Sequence, residues 1–130
     1  MTAGTVLVVD DDSALLRLLS VMLEAAGFQA LVAPDAARAL ELLSQGSLDI
    51  GVAVVDYQLP GSSLHDLLDQ IRSHPSHIRS IVTSGYSLEL LEESEGLLPS
   101  GVEFLQKPFL PGELVAAVQR AFTKVSGIGN

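Results

Sequence analysis

Asp10, Asp11, Asp56, Ser84 and Lys107 each stand at or just beyond the end of a short run of strand-forming residues: VLVV at 6–9, VAVV at 52–55, RSIVT at 79–83 and VEFL at 102–105. In a parallel sheet the carboxyl ends of the strands lie along one edge, and open α/β sheets bind their ligands there. Three carboxylates gathered at such an edge repel one another unless a cation joins them. Hard carboxylate oxygens suit Mg²⁺, which keeps several of its waters and leaves positions open to a phosphate oxygen. Lys107 would add a point charge and Ser84 a hydroxyl donor, both suited to the equatorial oxygens of a phosphoryl group. A carboxylate can also take that group covalently, as an aspartyl phosphate. Asp56, after the central run, is the candidate acceptor.

These positions depend on strands and helices in alternation. VLVV and VAVV lack any polar and apolar alternation, which suits strands buried on both faces of a parallel sheet, and Pro60 with Gly61 ends the second. Asp12 or Ser13 caps a first helix, whose Leu15, Leu19, Met22, Leu23 and Ala26 recur at helical spacing until Gly27. A weaker strand covers 28–33. Pro34 and Asp35 open a second helix bearing Ala36, Ala39, Leu40 and Leu43, closed by Gly46. Leu64, Leu67, Leu68 and Ile71 mark a third helix that Pro75 ends, and an acidic fourth runs from about Leu88 to Gly96. Leu114, Val115, Val118, Phe122 and Val125 share one face of the last helix. Five strand and helix pairs predict one doubly wound α/β sheet with right-handed crossovers.

Composition excludes several classes. The 130 residues fit one domain, here 1–130 with a core of about 5–125. Hydrophobic residues make up 48% and the mean hydropathy is +0.40, yet no apolar stretch approaches the roughly 20 residues of a membrane helix. The N-terminus lacks the basic and apolar regions of a secretory signal, so a cytoplasmic protein is expected. Without cysteine, disulfides and thiolate metal sites are ruled out. A net charge of −9 argues against direct nucleic-acid binding, which needs clustered cations.

Four segments, VLVVDDD at 6–12, VVDYQLPG at 54–61, TSGYS at 83–87 and EFLQKPF at 103–109, together resemble the receiver domains of two-component response regulators. The likeness runs from about Thr5 to Val125. It implies a flavodoxin-like (βα)5 fold with strand order 2-1-3-4-5. It further implies Mg²⁺ held by Asp11, by Asp10 mainly through water, by Asp56 and by the backbone carbonyl of Gln58. Asp56 would be the phosphoacceptor, Lys107 the phosphoryl partner, and Ser84 the switch hydroxyl, with Thr83 as the alternative one residue earlier. Phe104 fits the switch aromatic. Tyr86 and Gln58 fall where receivers tune the lifetime of the phosphoryl group. The donor would be a histidine kinase or a histidine phosphotransfer protein. The output would be binding to a downstream protein or attached effector rather than enzymatic turnover, with homodimerisation through helix 4, strand 5 and helix 5. Leu64 departs from the usual glycine, and Asp12 stands where glutamate is common.

Competing readings use the same residues differently. A haloacid dehalogenase-like phosphatase would place its nucleophile after the first strand and leave Asp56 unexplained. A phosphorylation-independent module has no need of clustered acids. A flavin-binding domain of the same strand order would need a phosphate-cradling loop after strand one, where this chain has DDDS. Taken alone, Lys107 reads as a solvated loop residue and Phe104 as core. His65, His74 and His77 read as surface or loop residues, and Glu89, Glu92, Glu93 and Glu95 as a solvated helix face that could select a basic partner.

Overall fold

The computed structural model describes residues 3–45, 49–74 and 77–126, the last three by backbone alone. Its elements alternate as expected: β1 (Thr5–Val9), α1 (Ser13–Ala25), β2 (Gln29–Ala33), α2 (Ala36–Leu43), β3 (Ile50–Asp56), α3 (Leu64–Arg72), β4 (Arg79–Ser84), α4 (Leu88–Glu95), β5 (Glu103–Gln106) and α5 (Pro111–Ser126). All pairings are parallel and the strand order is β2-β1-β3-β4-β5. This is the doubly wound, flavodoxin-like sheet that the sequence predicts. Gly46, Pro75 and the Val125 side chain, expected to close or line helices, lie outside the described residues. Among the described residues no helix is long and apolar enough to cross a membrane.

The uninterrupted apolar strands divide their side chains between two layers. Leu7, Val9, Ala53, Val55 and Val82 pack with Ala39, Leu42 and Leu43 of α2, the four apolar residues of α3, and Leu91 of α4. Val6, Val8, Val52, Val54 and Ile81 pack instead with Leu16, Leu19 and Leu23 of α1 and with Leu114, Ala117, Val118 and Ala121 of α5. Strand side chains alternate between faces, so a strand covered on both sides must be apolar at every position.

Local signals set the helix ends. Asp12, not Ser13, caps α1, accepting from the amides of Ala14 and Leu15. Asp35 caps α2 through the Arg38 amide. The buried stripe of α1 is Leu16, Leu19 and Leu23, with Leu15, Met22 and Ala26 only half-buried at its margins. Helical spacing could not separate these registers, because leucine occupies 15, 16, 18 and 19 alike. In α2 the buried set includes Leu42, and Leu40 is half-buried.

One irregularity in the sheet positions the site. Thr5 pairs with Ile50, but Val6 pairs with Val52, so Gly51 is an extra residue in β3. After this bulge Val9 lies level with Val55, and continuing the register by one residue sets Asp10 level with Asp56. Without it Asp10 would stand beside Val55. Glycine is required because the Phe122 ring covers the backbone: a Cβ on Gly51 would lie 2.5 Å from Phe122 Cε1. That ring is held in turn by stacking on Phe28, with centroids 5.3 Å apart. Gly51→Ala is expected to lower the unfolding free energy by about 1–3 kcal/mol in urea titrations. Phe122→Leu added to it should recover part of the loss, giving a favourable coupling in the double-mutant cycle.

Candidate functional site

Asp10, Asp56 and Lys107 follow the parity of Val8, Val54 and Leu105, all on the α1 and α5 side of the sheet. Each loop begins at a fixed height because the ladder continues past the strand. The Asp10 amide donates to Ala33 O at 3.1 Å, the Tyr57 amide to Thr83 O at 2.8 Å and the Lys107 amide to Ser84 O at 2.7 Å. Three strand spacings of about 4.8 Å separate β1 from β5, so Lys107 reaches back across the end of β4. Its Nζ donates to Asp10 Oδ2 at 2.7 Å and lies 3.4 Å from Asp56 Oδ1. The other Asp10 oxygen accepts the Asp12 amide at 2.9 Å.

Asp10 and Asp56 are only 3% and 5% exposed, whereas Asp11 faces solvent. One oxygen from each of the three lies within 4.8 Å of the others. Three carboxylates against one ammonium leave an excess of negative charge in a site that is dry on its inner side. Burial, and then the neighbouring Asp10 charge, push the Asp56 carboxyl above its ordinary value, while Lys107 and the Gln58 amide act the other way. Burial works against the Lys107 charge, yet the hydrogen bond to Asp10 and the fields of both aspartates outweigh it and hold the ammonium above its ordinary value. An all-oxygen, anionic set open on the Asp11 side fits a hard divalent cation such as Mg²⁺. Gln58, whose carbonyl was expected in that set, is exposed two residues beyond Asp56.

The two candidate hydroxyls lie on opposite faces. Thr83 pairs in register with Asp56 and shares the face of Ile81. Ser84 is one step further on, with the parity of Val82, and Phe104 packs half-buried on that same side. Ser84 is fully buried, and its Oγ accepts the Tyr86 amide at 2.9 Å rather than meeting the carboxylates.

Several contacts had no signal in the sequence. Tyr57, next to Asp56, points to the α4 side, where its hydroxyl donates to Glu95 Oε2 at 3.2 Å and lies 3.3 Å from Ser94 Oγ. Its ring meets Tyr86 edge to face, with centroids 6.2 Å apart. His65 Nε2 bonds the Glu95 carbonyl at 2.8 Å, and His74 Nε2 bonds the Leu43 carbonyl at 2.9 Å. His65, on α3, is thus tied to α4 rather than lying free at the surface, whereas His74 is a loop residue after α3 that is tied to α2, and His77 is an exposed loop residue with φ 57°. Glu92 and Glu95 are likewise half-buried and bonded, so the acids of α4 are not uniformly solvated. Only chain proximity to Asp56 could have drawn attention to Tyr57.

With this geometry in hand, the sequence profile of the response regulator receiver domain matches residues 6–119. The chain belongs to that family. The receiver is 30% identical over 120 residues to the transcriptional regulatory protein FixJ of Bradyrhizobium diazoefficiens, covering 92% of this chain and 57% of FixJ. Of another curated relative, the DNA-binding transcriptional regulator NtrC of Bradyrhizobium sp., it spans 25%. Among solved structures, a response regulator receiver protein from Sinorhizobium medicae superposes with a TM-score of 0.79 at 27% identity, over 93% of this chain and 95% of that one. The receiver domain of the hybrid histidine kinase CckA does so at 0.76 and 26%, over 92% and 99%.

Asp56→Asn should raise the melting temperature of the cation-free receiver at pH 7 by several degrees, since it removes a buried charge beside Asp10. The sign with pH follows from linkage. A carboxyl that holds its proton more tightly when folded makes stability fall as pH rises through the window above the ordinary value of 3.8. The gap between wild type and variant should therefore close as the pH is lowered toward about 4. Lys107, raised from 10.5, contributes stability that is lost only at still higher pH, outside that window. Calorimetric scans across pH check both signs.

Proposed function

We propose that the receiver takes a phosphoryl group from a phosphohistidine onto Asp56 and thereby switches a protein-binding face. The observation that carries this reading is one buried carboxylate beside a lysine ammonium and two further aspartates, at an edge open to solvent. A carboxylate oxygen of Asp56 attacks the phosphorus as the bond to the donor imidazole nitrogen breaks. Asp10, Asp11, Asp56 and the Gln58 carbonyl would hold Mg²⁺, which when bound supplies charge stabilisation for the transferring group. Lys107, positioned by Asp10, turns its ammonium from the carboxylate to the new phosphoryl oxygens. Ser84 gives up the Tyr86 amide to donate to one of those oxygens, and Phe104 fills the space on the same face.

The chain acts here as an acceptor and switch rather than as an enzyme with a diffusible substrate, and the reading places it in the cytoplasm. Its donor is a histidine kinase or a histidine phosphotransfer protein, as suits a family that includes the receiver of a hybrid kinase. The output passes through α4, β5 and α5 to a protein target or an attached effector, or to a second copy of the chain. DNA binding, the activity that NtrC's name gives to that relative, would belong to a partner or effector, because this chain's net charge of −9 opposes it.

Intact-mass measurement after treatment with acetyl phosphate tests the site. Wild type should gain one base-labile phosphoryl adduct only with Mg²⁺ present, and Asp56→Asn should gain none. An adduct of equal yield on the variant, or without Mg²⁺, would overturn the assignment. Tyr86, 47% exposed beside Gln58, stands where it can shield the acyl phosphate from water. Tyr86→Ala is expected to speed loss of the adduct several-fold, and an unchanged decay rate would remove that role.

A further inference from the structure

Tyr86 and Ser87 join the site to α4. The Tyr86 amide donates to Ser84 Oγ at 2.9 Å, and Ser87, the next residue, caps α4 by accepting the Leu90 amide at 3.2 Å. The N-terminal end of the helix is therefore tied to the hydroxyl that the proposed switch recruits. Its C-terminal end, eight residues on and about 12 Å away at 1.5 Å per residue, is tied elsewhere. There Glu95 Oε2 accepts from the Tyr57 and Ser94 hydroxyls, and the Glu95 carbonyl accepts from His65 Nε2 at 2.8 Å.

A helix of two turns moves as a rod. When Ser84 turns to a phosphoryl oxygen, the Tyr86 amide loses its acceptor and the first turn of α4 is free to shift. The far end follows only if the grip at Glu95 loosens. Leu91 alone of this helix is buried, so the polar grip supplies much of its restraint. Tyr57 connects the two ends. Its ring meets Tyr86 edge to face, and its hydroxyl reaches Glu95 Oε2 at 3.2 Å and Ser94 Oγ at 3.3 Å. Those contacts are long beside the ~2.7 Å common for O–H···O bonds, so they restrain the helix and yet break at small cost.

We infer that Tyr57 is a positioning residue that works against phosphorylation: through Glu95 it holds α4 where this structure shows it, and loading of Asp56 is opposed until that hold is released. The inference rests on the reading of Asp56 as phosphoacceptor and Ser84 as switch hydroxyl. Linkage fixes the sign. If a phosphoryl group on Asp56 favours the released helix, then release favours the phosphoryl group by the same factor. Deleting the Tyr57 hydroxyl should therefore tighten binding at the neighbouring Asp56, although the hydroxyl itself points to the other face of the sheet. A substitution that merely damaged the structure would weaken it.

Fluorine NMR titration with beryllofluoride, a tetrahedral fluoride that stands in for the phosphoryl group, tests this with Mg²⁺ present. Tyr57→Phe keeps the ring and removes only the hydroxyl. It should bind the probe about three- to tenfold more tightly than wild type, the factor that one hydrogen bond of ordinary net strength represents. Glu95→Ala should give a similar gain, and it keeps the test decisive if the Tyr57 variant folds poorly. Combining the two should add little, because both remove the same contact. Equal or weaker binding by either folded variant would overturn the role of Tyr57 while leaving the Asp56 reading intact. Gains that add in full would mean that the two residues act separately, and would overturn it as well. Absence of saturable binding to wild type would instead remove the phosphoacceptor reading and this inference with it.

Discussion

The structure depends on one uncomfortable contact, two buried aspartates brought level on adjacent strands with a single ammonium to hold them. Anions in a partly dry site are tolerable only with close, well-directed counter-charge. That requirement explains why β5 must end beside β4 and why Lys107 reaches across it. It also explains why the bulge at Gly51 matters, because a shift of one residue between β1 and β3 would part the two carboxylates and send one to the wrong face.

Strand parity then divides labour across the sheet. Asp10, Asp56 and Lys107 belong to the α1 and α5 side, whereas Tyr57, Ser84 and Phe104 have the parity of the α2, α3 and α4 side. The two groups meet only at the carboxyl edge, where neighbouring residues in the chain point in opposite directions. Asp56 and Tyr57 are such a pair: one is the proposed acceptor, and the other grips Glu95 at the end of α4. A change of charge on one face thus has a covalent neighbour on the other, without any long relay of packed side chains.

Much of this was legible in the residues. Apolar runs without alternation announced doubly covered strands, and acids placed after them announced the edge at which they meet. What escaped was whatever depends on register rather than type. The leucine-rich first helix offered two equally apolar stripes, and only packing against Val6 and Val8 selects Leu16 over Leu15. Nothing in IGVAVVD marks Gly51 as an inserted residue, since the glycine answers to Phe122 seventy-one positions later (122 − 51). His65 misled because its partner is a backbone carbonyl, a group that every residue carries.

The fourth helix is attached lightly. Of its eight residues only Leu91 is buried, and its C-terminal end is clasped at Glu95 by Tyr57 and His65. The central core has almost no stake in it, so the free energy of displacing this helix is set apart from the free energy of unfolding the domain. Substitutions along its outer surface can therefore change which partner it suits while leaving the sheet and its carboxylates intact. A fold arranged in this way can acquire a new listener without endangering its own survival.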